Sequence, residues 1–297
     1  MTRPKLPPCG KDLRIAAQFG TGEAFDTALD TCARAWRAPE HMRPGEWKQL
    51  QAGLFQLAQS MQSSLASSDG DGLIQTLLDH PAPALHALAA YCLPHGWTPA
   101  RRRFMPKLTE ASPQVQACLI QALSSLPSSD RSSIAQGWLN SRNPVQQALG
   151  VYIYPAEPPA QVLTLLRNLR PVENQELGEA VITRIGELAL LAPGASEEEL
   201  SRWASNPLHG DGFLLSRCLS RIPLRTNLPF SLAILDTLLK HHPSPEQDAQ
   251  YITAALRALA REHGDSTLRA QLDLWLQSPS KSVRRLAAKA NRRIEQD

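Results

Sequence analysis

Apolar residues recur every three or four positions along most of this chain, in short segments that end at Pro, Ser or Asn. This spacing puts the apolar residues on one face of an α-helix. The clearest example is segment 272–294, LDLWLQSPSKSVRRLAAKANRRI, in which two helical segments flank the dipeptide Ser278-Pro279. Serine or asparagine before proline, as also in Ser112-Pro113 and Asn143-Pro144, is typical of a helix start, because the side chain caps free N–H groups and proline is tolerated in the first turn. The pattern predicts two helices joined by a tight turn.

The same helix–turn–helix pattern occurs repeatedly upstream of segment 272–294. Segments 72–94, 102–127 and 134–155 carry it, and equivalent apolar anchors in these three copies are 30 residues apart. Later copies are less regular, and the predicted anchors of all seven copies are Leu85, Val115, Val145, Leu177, Phe213, Ala249 and Val283. No long alternation of apolar and polar residues indicates a strand. We therefore predict an all-α fold with about seven antiparallel helix pairs.

The N-terminal part of the chain does not match this pattern. Prolines and glycines interrupt residues 1–20, which we predict to be loose. Two amphipathic helices are predicted over 23–37 and 44–65, and they complete an atypical N-terminal cap formed by residues 1–66. The segment SSDGDG (67–72) has the composition of a linker. Residues 72–297 are predicted to form one continuous stack of repeats.

The repeated pattern L-x-x-x-x-P-x-V-x-x-A-L-x-A-L appears as LTEASPQVQACLIQAL and as WLQSPSKSVRRLAAKA. It resembles HEAT-type repeats over about residues 72–294. The resemblance implies an α-solenoid, in which antiparallel helix pairs stack into a curved superhelix. HEAT repeats often carry arginine after the anchor valine, but here only the last repeat does, as Arg284 and Arg285. Earlier repeats have His86, Gln116 and Gln146 instead, so we do not predict a ladder of Asp-Arg pairs between repeats.

Composition and cysteine spacing bear on the cellular compartment. The formal net charge is +3 and 20% of residues are charged, which does not indicate a dedicated polyanion-binding protein. Five cysteines, an odd number without a C-x-x-C pair, predict a reducing environment. The sequence shows no signal-peptide apolar region and no run of about 20 apolar residues. We expect a cytoplasmic protein with no membrane contact, in which Cys92, Cys118 and Cys218 are buried as small apolar residues.

The sequence contains no recognisable catalytic or metal-binding motif. His80, His241 and His242 fall in predicted turns, where we expect solvated side chains rather than metal ligands. Three glutamates at 197–199 are predicted to form the first turn of a helix, where negative charge complements the helix dipole. Phosphate-binding loops and nucleophile-elbow motifs do not occur. We therefore predict no catalytic residue, no metal and no cofactor, and favour a non-enzymatic protein.

Three tryptophans, Trp138, Trp203 and Trp275, occupy related positions late in the first helix of a repeat. Leucine stands at the equivalent position in other repeats, as Leu78 and Leu108. The exchange with leucine favours packing in the core, and stacking against a base or another ligand is the alternative.

Basic residues form three clusters. The largest lies on the last predicted helix and comprises Lys281, Arg284, Arg285, Lys289, Arg292 and Arg293. The second comprises Arg101, Arg102, Arg103 and Lys107, and the third comprises Arg217, Arg221 and Arg225. If the second helices line the concave surface, as in similar superhelices, the first and third clusters contribute to one positive groove. The alternative is that they form the polar face of a terminal helix and favourable helix C-termini.

Residues 275–285 carry a second, shorter resemblance. A W-x-x-S motif followed by the pair Arg284-Arg285 is similar to the C-terminal repeats of HEAT-like DNA alkylpurine glycosylases, which cradle DNA in a basic concave face. No acidic residue of this chain matches that family's catalytic aspartate, so no catalytic role is carried over. The similarity implies DNA binding, with base-excision chemistry, as an alternative function.

Three functional hypotheses follow. The leading one is a non-enzymatic HEAT-like scaffold or adaptor that binds another protein through the curved surface of its second helices. The alternative is binding of DNA or RNA in a basic concave groove. The residues predicted to contact a partner are Arg217, Arg221, Lys281, Arg284, Arg285, Lys289 and Arg292. A third hypothesis, a HEAT-like lyase or enzyme-associated chaperone, has no residue that distinguishes it.

Overall fold

The structure, a computed structural model, describes residues 7, 9–169, 174–221, 224–242 and 247–294. Regular secondary structure in these residues is helical without a strand, which confirms the predicted all-α class. The chain divides into two compact units, residues 1–136 and 137–297, and each has its own packing.

Across the part of the chain that the structure describes, no helix is both long and apolar enough to span a membrane.

The first unit consists of short helices. They are α1 (Gly10–Ala16), α2 (Glu23–Ala35), α3 (Pro44–Ser60), α4 (Gln62–Leu65), α5 (Gly70–Asp79), α6 (Pro83–Cys92), α7 (Met105–Thr109) and α8 (Pro113–Leu123), and the unit boundary falls within α9 (Ser128–Leu139). Helices α3, α6 and α8 pack side by side in that order, while α5 packs on α6 and α7 packs on α8. Because α3 occupies the same row as α6 and α8, the predicted cap packs directly on the first repeat. The segment predicted as a linker, 67–72, lies inside this unit, and α5 begins within it.

The prediction of a loose N-terminus is wrong for residues 10–19. They form α1 and a following 3₁₀ turn, and Leu13 is fully buried. Packing of α1 on α2 and α3 provides the apolar contacts that a short glycine-led helix lacks by itself. Residues 1–6 and 8 lie outside the described residues.

Cys9 and Cys32 form a disulfide between the start of α1 and α2. The odd number and wide spacing of the cysteines led us to predict a reducing environment, and sequence spacing alone does not reveal this pairing. Cys92, Cys118 and Cys218 are free and buried, as predicted. Burial raises the pKa of Cys92 and of Cys218 to about 12, and that of Cys118 to about 11. These three thiols therefore stay protonated and unreactive at neutral pH.

The second unit has longer helices. They are α10 (Pro144–Ile153), α11 (Pro159–Asn168), α12 (Gln175–Leu191), α13 (Pro193–Ser205), α14 (Asp211–Leu219), α15 (Leu228–His241), α16 (Ala249–His263), α17 (Asp265–Leu276) and α18 (Lys281–Ile294). The even-numbered helices α10 to α18 pack in chain order as one row. Helices α11, α13 and α15 pack in chain order as a second row, and one apolar core runs between the rows from Leu139 to Ala290. Adjacent helices therefore pack as neighbouring pairs, as the sequence predicted.

The anchor positions were predicted with uneven accuracy. Leu85, Val115, Leu177 and Val283 are buried, whereas Val145, Phe213 and Ala249 are half-buried. In the irregular copies the buried stripe is shifted along the helix. In α16, for example, Ile252, Ala255, Leu256 and Leu259 are fully buried, whereas Ala249 begins the helix.

A side chain early in several second helices donates back to carbonyl groups at the end of the preceding helix. His86 Nε2 lies 2.8 Å from the carbonyl oxygen of His80, and Gln116 donates to the carbonyls of Thr109 and Ala111. Gln147 donates to the carbonyl of Ser141, and Arg284 donates to those of Ser278 and Pro279. These carbonyls have no partner within their own helix, so the donor closes the turn. Histidine, glutamine and arginine thus perform one structural task at related positions.

The predicted capping of the second helices holds in only one of three repeats. Asn143 accepts a hydrogen bond from the Val145 backbone, as expected of a cap. The Ser112 side chain makes no capping bond. Helix α18 begins at Lys281, so Pro279 lies in the turn and not in the first helical turn. Its serine at the capping position is Ser280, whose hydroxyl lies 3.5 Å from the Val283 nitrogen.

Candidate functional site

The row of first helices in the second unit opens between α15 and α17. A groove of about 930 Å³ lies there, walled by α15, by α17 and by the turn that leads into α18. We call it the α15–α17 groove. Its lining residues are Pro229, Leu232, Ala233, Asp236, Leu239, Lys240, His242, Gln271, Leu274, Trp275, Gln277, Ser278, Pro279, Ser280, Ser282 and Val283.

A hydrogen bond joins the two helical walls of the groove. Trp275 of α17 donates its indole N–H to Asp236 Oδ1 of α15 at 3.0 Å. The other carboxylate oxygen of Asp236 lies 2.6 Å from Lys240 Nζ. Trp275 is buried, as predicted for a core residue, and it also sets the spacing between the walls. Trp138 and Trp203 are buried as well.

The α17 wall presents an exposed leucine to the groove. Leu274 is 62% exposed, although it sits beside the buried Trp275. On the opposite wall Leu232 is half-buried, and Pro229 and Ala233 are exposed. Exposed apolar residues grouped in a concavity are typical of binding surfaces, because a partner removes them from water. We did not predict this site, although the sequence carries one signal of it: Leu274 lies off the helical stripe that contains Leu272 and Trp275.

The turn wall of the groove is held by Arg284. Its guanidinium donates to the carbonyl oxygens of Ser278 at 2.6 Å and of Pro279 at 2.9 Å. The Ser280 nitrogen lies 3.2 Å from the Ser278 hydroxyl and donates to it. Arg284, which the sequence predicted as a partner-binding residue, therefore has a structural task in shaping the groove.

The other predicted basic residues of the last helix lie on its solvent-exposed face. Lys281, Arg285, Lys289 and Arg292 are all exposed on α18. No acidic residue occurs between positions 281 and 294. The side chain of Arg293 lies outside the described residues. The exposed face of α18 is therefore strongly basic.

The predicted basic residues in α14 and after it are engaged with carboxylates. Arg217 and Arg221 both form ion pairs with Glu179 of α12. Arg225 pairs with Glu262 of α16 at 2.9 Å. Helix α16 packs on both α14 and α18, so it lies between the two basic sets in this row. Glu179 and Glu262 therefore offset much of the positive charge that we predicted for this surface.

The cluster around Arg101 supports the fold of the first unit. Arg101 is only 3% exposed, and its guanidinium donates to Asp71 and to the carbonyl oxygens of Leu65, Leu93 and His95. Arg103 pairs with Asp71 at 3.0 Å. Further along the cluster, Lys107 pairs with Asp79 and Arg102 donates to Ser133. Every member of this cluster has a partner within the unit.

The three glutamates at 197–199 are not at a helix start. Helix α13 begins at Pro193, so they lie in its second turn, which corrects the predicted capping role. Glu199 is buried and accepts hydrogen bonds from the Trp203 indole at 2.9 Å and from the Thr164 hydroxyl at 3.4 Å. Tertiary packing against α11, rather than the helix dipole, explains its location.

A second buried carboxylate, Asp211, is also fully engaged. Arg167 donates to it from Nε at 3.0 Å and reaches the Asn206 carbonyl at 2.7 Å. The Leu208 nitrogen donates to Asp211 at 2.7 Å, and the Arg167 guanidinium lies 5.4 Å from the Trp203 ring centroid. These charged and backbone donors satisfy the carboxylate of Asp211 within the fold. We assign this cluster to the stability of the second unit.

His242 is not the solvated loop residue that we predicted. Its side chain is largely buried and lies 3.1 Å from Asp248 Oδ2. Burial raises the pKa of Asp248, and the neighbouring His242 opposes that effect. His80 is also partly shielded, with Nε2 3.4 Å from Asp30 Oδ1, whereas His241 is exposed.

Among the described residues, no group of three or more His, Cys, Asp or Glu side chains is arranged to hold a metal ion. The chain matches no protein-family model, and no curated protein matches it significantly. The site is therefore defined by its own geometry.

Proposed function

We propose that this protein is a non-enzymatic HEAT-like scaffold or adaptor that binds a segment of another protein in the α15–α17 groove. The observation that carries the proposal is the exposed apolar patch around Leu274 inside a concave, braced site. Two parallel rows of helices in the second unit support a repeat architecture of this type. The proposed surface lies on the first helices, whereas the sequence pointed to the second helices.

The groove suits a protein segment for physical reasons. Apolar lining residues gain free energy when a partner side chain displaces water, at about 25 cal/mol per Å² of apolar area removed from water. The polar lining groups, among them the hydroxyls of Ser280 and Ser282, can orient a peptide backbone. The wall spacing is held by the Trp275–Asp236 bond, so little ordering is required on binding.

Selection of random peptides displayed on phage, on the immobilised full chain at physiological salt, tests the proposal. We expect enriched peptides that bind the wild type and lose binding to Leu274→Glu. Leu190→Glu is the matched control, because Leu190 is equally exposed at the end of α12 and lies outside the groove. If no enriched peptide binds Leu190→Glu and fails to bind Leu274→Glu, the proposal is contradicted.

Nucleic-acid binding is a second candidate, favoured by the exposed basic face of α18. It predicts that affinity for a DNA or RNA oligonucleotide falls steeply as salt concentration rises, because bound counterions are released. Fluorescence anisotropy at low and physiological salt measures this. Lys289→Glu/Arg292→Glu should abolish such binding. An unchanged affinity in this double variant would exclude the α18 face as the binding site. Arg284 is unsuitable for this test, since its replacement also disturbs the groove wall.

A further inference from the structure

We propose that the segment bound in the α15–α17 groove is acidic and carries one large apolar side chain. This inference rests on the proposed function and specifies the chemistry of the partner. It is argued from the distribution of apolar and charged groups around the groove.

The apolar requirement comes from the two helical walls. Leu274 on α17 faces the same groove as Leu232 and Ala233 on α15. The buried Trp275 has its indole N–H bonded to Asp236, so it presents no free donor to the groove. A leucine, methionine or phenylalanine side chain is the group that covers such a surface without leaving a polar atom unpaired.

The charge requirement comes from the margins of the groove. Asp236 is the one carboxylate among the described lining residues, and its two oxygens are occupied by Trp275 and Lys240. Lys240 is nevertheless 68% exposed, so its ammonium group keeps most of its access to solvent and to a ligand. Lys281 is not itself a lining residue, but it is exposed and stands in the sequence between the lining residues Ser280 and Ser282, so we place it at the opposite margin.

The surroundings extend this positive margin. Arg284 adds a guanidinium at the turn wall. Asp273, the acidic neighbour of Leu274 in the sequence, is not among the residues that line the groove. A basic segment would therefore meet like charge on two sides, whereas an acidic one gains both attraction and faster encounter.

A protein segment fits this arrangement better than a nucleic acid. A phosphate backbone would gain from Lys281 and the outer face of α18, but it offers no aliphatic group to cover Leu274. The apolar centre can receive the apolar side chain of an acidic peptide, and the basic margin can pair with its carboxylates.

The composition of the displayed peptides that depend on Leu274 tests the inference. We expect a large apolar residue flanked by Asp or Glu, in excess over the unselected library. One enriched peptide, synthesised with a fluorophore, is then titrated with variants. Removal of two margin charges in Lys240→Gln/Lys281→Gln should weaken binding about three- to tenfold. The matched control, Lys289→Gln/Arg292→Gln, removes two charges from α18 outside the groove and should leave affinity within about twofold.

The outcomes separate the two proposals. Two results would overturn the acidic assignment: groove-dependent peptides without an excess of Asp or Glu, or an equal loss of affinity in both charge variants. Neither result would contradict the binding of a protein segment in the groove. Absence of any groove-dependent peptide would overturn both. Binding of an oligonucleotide that needs Lys281 but tolerates Leu274→Glu would assign the margin to nucleic acid and contradict the inference. Circular dichroism melting of every variant verifies that the helices remain folded.

Discussion

Trp275 and Asp236 form a 3.0 Å hydrogen bond that connects α17 to α15 across the candidate site. These helices are otherwise separated by the groove, so this contact links two walls that belong to successive helix pairs. The carboxylate also pairs with Lys240, which restricts the orientation in which it accepts the indole proton. The bond explains why a tryptophan occupies a position at which other repeats have leucine.

We expect Trp275 and Asp236 to contribute to stability as a coupled pair. A double-mutant cycle with Trp275→Phe and Asp236→Ala should give a coupling energy of about 0.5–1.5 kcal/mol, the range of a partly buried hydrogen bond. Urea unfolding measures it. The same cycle with Asp273→Ala in place of Asp236→Ala is the control, since Asp273 is exposed outside the groove, and it should show no coupling. A zero coupling with Asp236 would mean that the bond does not brace the walls.

Arg101 should be among the residues to which the first unit is most sensitive. Arg101→Leu leaves three backbone carbonyls without their donor and leaves Asp71 with only the exposed Arg103, and we expect a loss of about 3–5 kcal/mol in the free energy of unfolding. Arg101→Lys should recover only part of this, because an ammonium cannot reproduce the planar set of donors.

Arg103→Leu is the matched control for Arg101. It removes the same charge from the same carboxylate, but Arg103 is 60% exposed. Its loss should be below about 1 kcal/mol, as for exposed ion pairs. Urea denaturation of the full chain measures both. Equal effects of the two substitutions would show that burial of Arg101 is not what makes it important.

His86 should make stability depend on pH. Burial lowers the pKa of His86 below its ordinary value of 6.5, so the unfolded chain takes up its proton at a higher pH than the folded chain does. The stabilisation is present above about pH 6.5 and is lost as pH falls through and below that value.

His86→Gln keeps a donor for the His80 carbonyl and removes the titration. Gln116 performs the same backward hydrogen bond in the next repeat, which makes glutamine the natural replacement. We expect little change near neutral pH and a smaller loss of stability than in the wild type on acidification. Burial lowers the pKa of His95 as well, but that residue is common to both proteins and cancels in the comparison. Identical pH profiles would contradict the assignment.

The periodicity of apolar residues predicts the helix pairs of this fold but not the partners of its buried polar residues. Helix pairs were predictable because Leu85, Val115 and Val283 lie on buried stripes with helical spacing. The positions of Glu199 and His242 were not, because their partners Thr164 and Asp248 come close only after the chain has folded. The disulfide between Cys9 and Cys32 was not predicted for the same reason, because the two cysteines meet only in the folded chain.

The candidate site illustrates the same limit. Its basic margin was visible as a charge cluster on the last helix. Its apolar centre was not predicted. Leu274 lies off the buried stripe, but it stands in a leucine-rich segment whose other members are buried or half-buried. Only the opening between α15 and α17 turns Leu274 into a binding residue, and that opening depends on the packing of several helices.

Gly212 should resist substitution although it lies in a helix. Alanine normally favours a helix over glycine by up to about 1 kcal/mol. A Cβ atom at position 212, however, would overlap the carboxylate of Asp248, which packs against the first turn of α14. We expect Gly212→Ala to destabilise the protein by about 1–3 kcal/mol, as measured by urea unfolding. Gly137→Ala, in α9 with open space around the added methyl, should instead be stabilising.

Removal of the Asp248 carboxylate should relieve the overlap at Gly212. In an Asp248→Ala background, Gly212→Ala should cost less than it does alone, because the two carboxylate atoms nearest to the new methyl are gone. Relief should be incomplete, since the Cβ of residue 248 itself lies 3.0 Å from the new methyl. If Gly212→Ala costs the same in both backgrounds, the Asp248 side chain is not what excludes alanine. The cost of the added methyl group would then have to be attributed to the backbone alone.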